Sequence, residues 1–318
     1  MNEHGNPLTK MKLNFTARVS RDSLWHVLPT FLLVLTLTYS IFYSASSQAQ
    51  AAKPLSLNIG HAQLTALEWS GSNSKEQTII ALPWGGGTAI GYRYLGPLLA
   101  DAGYRLIALN PRGVSGSTGA LEELSLHDYA DDVAAVITLL ELDQVHMMGW
   151  ALGNRVARAV ATDHSRLVAT VTLIAAGGTV RPLVSMQNAG RLFGDPDLSQ
   201  EQQLAFAREL MFAEATPTAI VKEFVDNLGY FREASAARSG ANRATPVEQW
   251  WAGGTAPMLI VQGLDDKIAP PQNGVLMQEQ FGERIQVVNL KDAGHAMGLE
   301  KPQAVSAAVI KFLEAHAF

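Results

Sequence analysis

The run Gly149-Trp150-Ala151-Leu152-Gly153 has the spacing of a tight strand-to-helix turn, G-x-[nucleophile]-x-G. The two glycines are informative because side chains at those positions clash in so sharp a turn. Strain of that kind is kept where a site uses it. The central residue is held up for reaction, yet here it is Ala151, and a methyl group cannot attack a substrate. Taken in isolation, the motif also fits an ordinary βα turn with two glycines.

Two later segments add chemistry. In "QGLDDKIAPP", Asp266 falls just past a predicted strand, in a loop stiffened by Pro270 and Pro271. A carboxylate there either orients a histidine or caps the next turn. Asp265 is the rival acid, and the register G-x-x-D favours Asp266. In "DAGHAMGLEKP", His295 sits in a loop after the last predicted strand, where it is either a general base or simply solvated. The order turn, acid, histidine is the chain order of a Ser…Asp…His triad at strand ends.

Other polar residues carry less. Ser115, Ser117 and Thr118 read as turn residues supporting a sheet edge, and Asn154 as a packing residue beneath the elbow helix. His127, His146 and His164 have no metal-ligand spacing. The acids of "HDYADD", His127 to Asp132, read as helix N-terminal caps rather than ligands. Trp250-Trp251 fits either a pocket wall or core packing. "WGGGTAIG" lacks the lysine of a phosphate loop. No cofactor is expected.

The elements that must hold these residues alternate strand and helix. "SLNIG" and "QLTALEW" predict two opening antiparallel strands, joined by the polar turn "SGSNSKEQ" to a buried strand over Thr78–Pro83. A helix is expected from Tyr92 to Ala102, then a strand over Arg105–Asn110 and a helix over Asp128–Leu142. "QVHMMGW" predicts a strand, "LGNRVARAVATDH" a helix, and Val171–Ala176 a strand. Residues 177–256 lack a strong strand and carry the helical segments "EQQLAFARELMFA", "PTAIVKEFVDNLG" and "PVEQWWAG". Strands resume at Pro257–Gly263 and Ile285–Ala293, before a closing amphipathic helix over Pro302–Ala315. Such repeats imply right-handed crossovers and a mostly parallel sheet covered on both faces. Helices inserted between late strands lie over the carboxyl ends, where open α/β sheets bind ligands.

Bulk composition excludes several classes. The chain has 318 residues, 47% of them hydrophobic, enough for one large core with an insertion. A net charge of −5 offers no basic footprint for nucleic acid. With no cysteine, disulfides, thiolate catalysis and cysteine-built zinc sites are excluded. Ahead of the α/β pattern, Lys10, Lys12, Arg18 and Arg21 precede the apolar run "FLLVLTLTYSIFYSA" and Ala49-Gln50-Ala51, an A-x-A pattern. This predicts export to the periplasm or beyond after cleavage. The alternative is an inner-membrane anchor facing the periplasm, the only membrane contact expected, although the run is shorter than the roughly 20 residues of a spanning helix.

From Leu55 to the C-terminus the sequence resembles the α/β-hydrolase superfamily, in its group of small-molecule esterases, lactonases and carbon–carbon-bond hydrolases. The resemblance rests on "LPWGGG", "NPRGVSGSTG", "GWALGN", "GLDD" and the "GH" loop. It implies an α/β fold with a mostly parallel eight-stranded sheet. The core would span 52–176 and 257–318, the helical cap 177–256, and the export segment 1–51. It implies Asp266 as the orienting acid, His295 as the base, and an oxyanion hole from the backbone N–H groups of Leu152 and Gly85. Trp84 and Trp150 are expected in the wall of the substrate pocket. Two departures stand out: Pro83-Trp84 replaces the family's usual His-Gly, and Ala151 replaces the nucleophile.

Three functions compete at this level. One is a hydrolase-like enzyme acting on a small, partly apolar molecule through the Asp–His pair and the oxyanion amides, without a covalent intermediate. A second is a ligand-binding protein that has kept the pocket and lost the chemistry. A third is an ordinary serine esterase inactivated by a deliberate Ser-to-Ala change.

Overall fold

The computed structural model describes residues 51–71 and 77–318. The basic and apolar segments that predict export lie outside the described residues, apart from Ala51, as does the middle of the polar turn, 72–76. No helix among the described residues is long and apolar enough to cross a membrane.

Eight strands form one sheet: β1 (Lys53–Asn58), β2 (Gln63–Ser70), β3 (Thr78–Leu82), β4 (Arg105–Leu109), β5 (Val145–Trp150), β6 (Val168–Ile174), β7 (Met258–Gly263) and β8 (Ile285–Leu290). Their order is β1-β2-β4-β3-β5-β6-β7-β8. β2 runs antiparallel to both β1 and β4, and the remaining pairs are parallel. The reversal beside β3 and β5 makes their carboxyl ends a topological switch point, where such sheets bind ligands.

The central strands are apolar on both faces because both are covered. In β3, Ile79 and Ala81 join one core cluster, and Ile80 and Leu82 join the other. Each isoleucine buried in this way contributes roughly 1.5–3 kcal/mol. Beside this sheet stand α1 (Leu95–Asp101), α2 (Leu126–Leu139), α3 (Leu152–Asp163), α4 (Met186–Gly194), α5 (Gln200–Met211), α6 (Thr218–Asp226), α7 (Arg232–Ala244), α8 (Gln272–Phe281), α9 (Met297–Glu300) and α10 (Pro302–Glu314). Helices α4 to α7 all lie between β6 and β7 in the chain.

Some expectations needed correction. The single helix expected over Tyr92–Ala102 is split into a 3-10 turn, Ala89–Tyr92, and α1. The Tyr92 hydroxyl donates to the Leu82 carbonyl at 2.7 Å, and this bond ties the short turn to the end of β3. The segment "PVEQWWAG" forms only a 3-10 turn at Val247–Gln249. Trp250 and Trp251 are buried, and the Arg158 guanidinium lies over their rings, 4.5 and 5.0 Å from the two centroids. Core packing therefore accounts for both tryptophans. Of the acids near the start of α2, Asp128 completes a capping box with Ser125. Asp131 instead meets His164, and Asp132 receives two bonds from Arg112, each 2.7 Å.

Candidate active site

The elbow is set by close backbone approach. A Cβ on Gly149 would meet the Asn154 backbone at 2.3 Å, and one on Gly153 would meet the Leu82 carbonyl oxygen at 2.2 Å. Only glycine lets α3 leave β5 so abruptly. Ala151 sits at the apex with φ 51° and ψ −110°, a costly conformation for a residue with a Cβ. Its amide donates to the Ile174 carbonyl at 2.9 Å, which holds the apex against the end of β6. Asn154 is fully buried, and its Nδ2 donates to the Ala175 carbonyl at 3.0 Å. The packing role expected of it is what the structure shows.

Asp266 and His295 come together at the ends of β7 and β8. His295 Nδ1 donates to the Asp266 carboxylate, 3.0 Å from Oδ1 and 2.9 Å from Oδ2. Both side chains are buried. Oδ1 also accepts from the amides of Ile268 and Ala269, at 2.9 and 2.8 Å. Asp265 makes no bond to the histidine among the described residues; the carboxylate that meets it is that of Asp266. With Nδ1 donating, neutral His295 carries its lone pair on Nε2. His295 and Ala151 both line one cavity of about 570 Å³.

Gly85 and Leu152 also line this cavity. As the first residue of α3, Leu152 has no intrahelical acceptor for its amide. Among the described residues, neither its N–H nor that of Gly85 is paired with a backbone acceptor. Two such amides beside a base can stabilise a developing oxyanion.

Trp84 and Trp150 do not line the cavity, which corrects the expectation for both. Their rings are buried and meet edge to face at 6.0 Å, and Trp84 also packs on Phe193 and Phe224 at 4.6 and 5.7 Å. Trp84 fills the space beneath Gly86 and Gly87, so the departure from His-Gly gives the loop a large apolar support. The Trp84 carbonyl accepts from Arg238 Nη1 at 3.2 Å.

Sequence reasoning missed several supports. Glu300 accepts from the amides of Gly294 and Ala213, each at 2.8 Å, and from the Thr216 hydroxyl at 2.5 Å. It thereby clamps the histidine loop to the chain after α5. Burial pushes the Glu300 carboxyl up, against those hydrogen bonds, which hold it down. Helix α7 was also missed, because the buried stripe of "REASAARSGANRA" is Ala234, Arg238 and Ala241, with no large apolar side chain to mark it. It presents Arg232, Ser235, Ser239 and Arg243 to the cavity. No cluster of three or more potential metal ligands occurs among the described residues.

Known proteins place this geometry in a family. A family model described as the alpha/beta hydrolase fold matches residues 79–302. The dihydrolipoyllysine-residue acetyltransferase component of an acetoin cleaving system from Pseudomonas putida is 26% identical over 283 residues, covering 85% of this chain and 72% of that protein. The 2-hydroxy-6-oxononadienedioate/2-hydroxy-6-oxononatrienedioate hydrolase 2 of Pseudomonas putida is 25% identical over 294 residues, covering 84% of this chain and 98% of that protein. A thermophilic esterase from Thermogutta terrifontis, at 19% identity, superposes with a TM-score of 0.69 over 84% of this chain and 100% of its own. With its sheet order, its glycine-framed elbow and a family match over most of its length, the chain belongs to the α/β-hydrolase fold family.

Proposed function

We propose that the protein is a hydrolase-like enzyme that works on a small, partly apolar molecule without a covalent intermediate. His295, oriented by Asp266, takes a proton from water or from an acidic group of the substrate. The amides of Leu152 and Gly85 then stabilise the anion that forms. Ala151 leaves the space over the elbow to substrate or water. Residues 177–256 act as a cap over the reacting centre, and the basic and apolar N-terminal pattern supports export.

The observation that carries this reading is the intact Asp266–His295 pair, buried and opening onto the cavity that Ala151 lines. An imidazole with an oriented Nδ1–H is a working base, whether or not a serine stands beside it. The experiment is turnover of ester, lactone and carbon-acid panels by purified protein, with His295→Gln as the control. Turnover that falls by at least 10²-fold in the variant supports the reading. Turnover unaffected by the variant, or absent from every panel, overturns it.

Ala151 itself favours a second reading, a binding protein that keeps the pocket alone. On that reading His295→Gln leaves ligand affinity nearly unchanged, and no panel shows histidine-dependent turnover.

A further inference from the structure

The cavity above Ala151 is electrically one-sided. Arg155, Arg232 and Arg243 line it, and among the described residues no aspartate or glutamate does. Asp266, behind His295, is already engaged by the imidazole and two amides. None of the three arginines has a carboxylate partner among the described residues, whereas Arg93, Arg105 and Arg112 each do.

Arg155 is the innermost of the three. It stands on α3, one helical turn beyond Ala151. Its Nη1 donates to the Asn242 side chain on α7, and its guanidinium lies 5.2 Å from the Trp250 ring centroid. Both contacts hold the plane of the group in place. Its Nε and Nη2, the two-donor edge that matches a carboxylate, have no acceptor among the described residues, and neither is a buried orphan. That edge therefore opens onto accessible space. Burial pushes the guanidinium down, so the site is short of a counter-charge. Arg158, one turn further along α3, is fully buried, and its acceptors among the described residues are all neutral, namely Asn154, Gly177 and Met277.

Helix α7 explains the other two. Arg232, Ser235, Ser239, Asn242 and Arg243 fall at three- and four-residue spacing, and all of them face the cavity. The buried stripe of this helix is Ala234, Arg238 and Ala241, on another side, so the polar side is left to line the cavity. The lining also includes the apolar side chains of Met186, Ala189, Phe193 and Met211.

We infer that the cavity takes a small molecule with an apolar body and a single carboxylate, the carboxylate seated on the Nε–Nη2 edge of Arg155 beneath α7. This inference rests on the proposed use of the cavity as the substrate site, and it names the class of substrate. The apolar body lies against Phe193 and Met211. Arg232 and Arg243, exposed at the two ends of the cavity-lining face, draw the anion in.

The test is calorimetric titration of the full chain with 4-phenylbutyrate and with its neutral isostere, 4-phenylbutyramide. The carboxylate should bind at least tenfold more tightly at low salt, and its advantage should shrink between 0.05 and 0.5 M salt, as screening requires. Arg155→Gln should remove the advantage and leave amide affinity in place. Arg243→Gln, at an exposed position that folding does not depend on, should reduce the advantage severalfold. Equal affinities, no binding of either compound, or an advantage that survives both substitutions would overturn the inference. Carboxylate-selective binding without turnover of any carboxylate-bearing substrate removes only the catalytic reading. Histidine-dependent turnover that ignores the carboxylate removes only this inference.

Discussion

The indole N–H of Trp150 donates to the backbone carbonyl of His295 at 2.8 Å, both groups being buried. The residue before the elbow apex thus holds the loop that carries the base. The two meet across 145 positions of sequence, and the bond couples the end of β5 to the segment after β8.

Trp150→Phe keeps the ring packing and deletes the donor. A buried carbonyl left without its partner costs about 1–3 kcal/mol. The thermal midpoint should fall by several degrees, measured by calorimetry at fixed pH. Histidine-dependent turnover should fall more than the loss of folded protein explains, because the base loop loses its tether.

Ala151 holds a backbone conformation that suits glycine better. Ala151→Gly should therefore stabilise the protein by about 1 kcal/mol, strain relief exceeding the entropy cost of glycine. Chemical denaturation with unchanged slope would register it. A loss of stability would show that the Ala151 methyl contributes packing that outweighs the strain.

Ala151→Ser places a hydroxyl where the elbow presents its nucleophile. Hydrolysis of p-nitrophenyl butyrate should rise on the order of 10³-fold or more, and His295→Gln in the same chain should abolish the gain. No gain would mean that the cavity does not seat an ester carbonyl over the elbow.

Gly153→Ala puts a Cβ against the Leu82 carbonyl oxygen, a backbone atom with no room to retreat. A destabilisation of at least about 3 kcal/mol is expected, or failure to accumulate folded protein. Near-native stability in urea would show that the elbow opens more easily than its geometry indicates.

His146 predicts acid sensitivity. Buried in β5, it pairs Nδ1 with the Thr170 hydroxyl at 2.9 Å and Nε2 with the side-chain Oε1 of Gln77 at 3.2 Å. Burial pushes it down to about 4, with the neighbouring His316 adding to the effect. The unfolded chain, with histidine near pH 6.5, then binds more protons than the native one between pH 6.5 and 4. Stability therefore falls as pH drops through that window, by about 3 kcal/mol from this residue at its lower end. His146→Gln should flatten the dependence of the thermal midpoint on pH there. An unchanged slope would assign the acid sensitivity elsewhere.

Much of the architecture was legible before folding. The apolar runs of β3 to β7 and the glycine punctuation around Ala151 come from local chemistry: a strand covered on both faces must be apolar, and a tight elbow must lack side chains. Asp266 and His295 could be picked out because each follows a strand, and strand ends in this fold converge. Helix α7 could not be found in this way, since its buried stripe is only Ala234, Arg238 and Ala241, and the face that meets the cavity carries arginines and serines. Trp84 and Trp150 were misplaced for a related reason. Adjacency to the elbow and its loop put them near the site, but whether a ring faces a cavity or the core depends on its neighbours. Here Trp84 packs on Phe193 and Phe224, which come from the inserted helices, and Trp150 packs on Trp84. Sequence determined the strand order of chemical groups and the missing nucleophile. Only tertiary structure decided which charges share one cavity, because Arg155 and Arg243 are brought to a common wall by packing between α3 and α7 that no local pattern records.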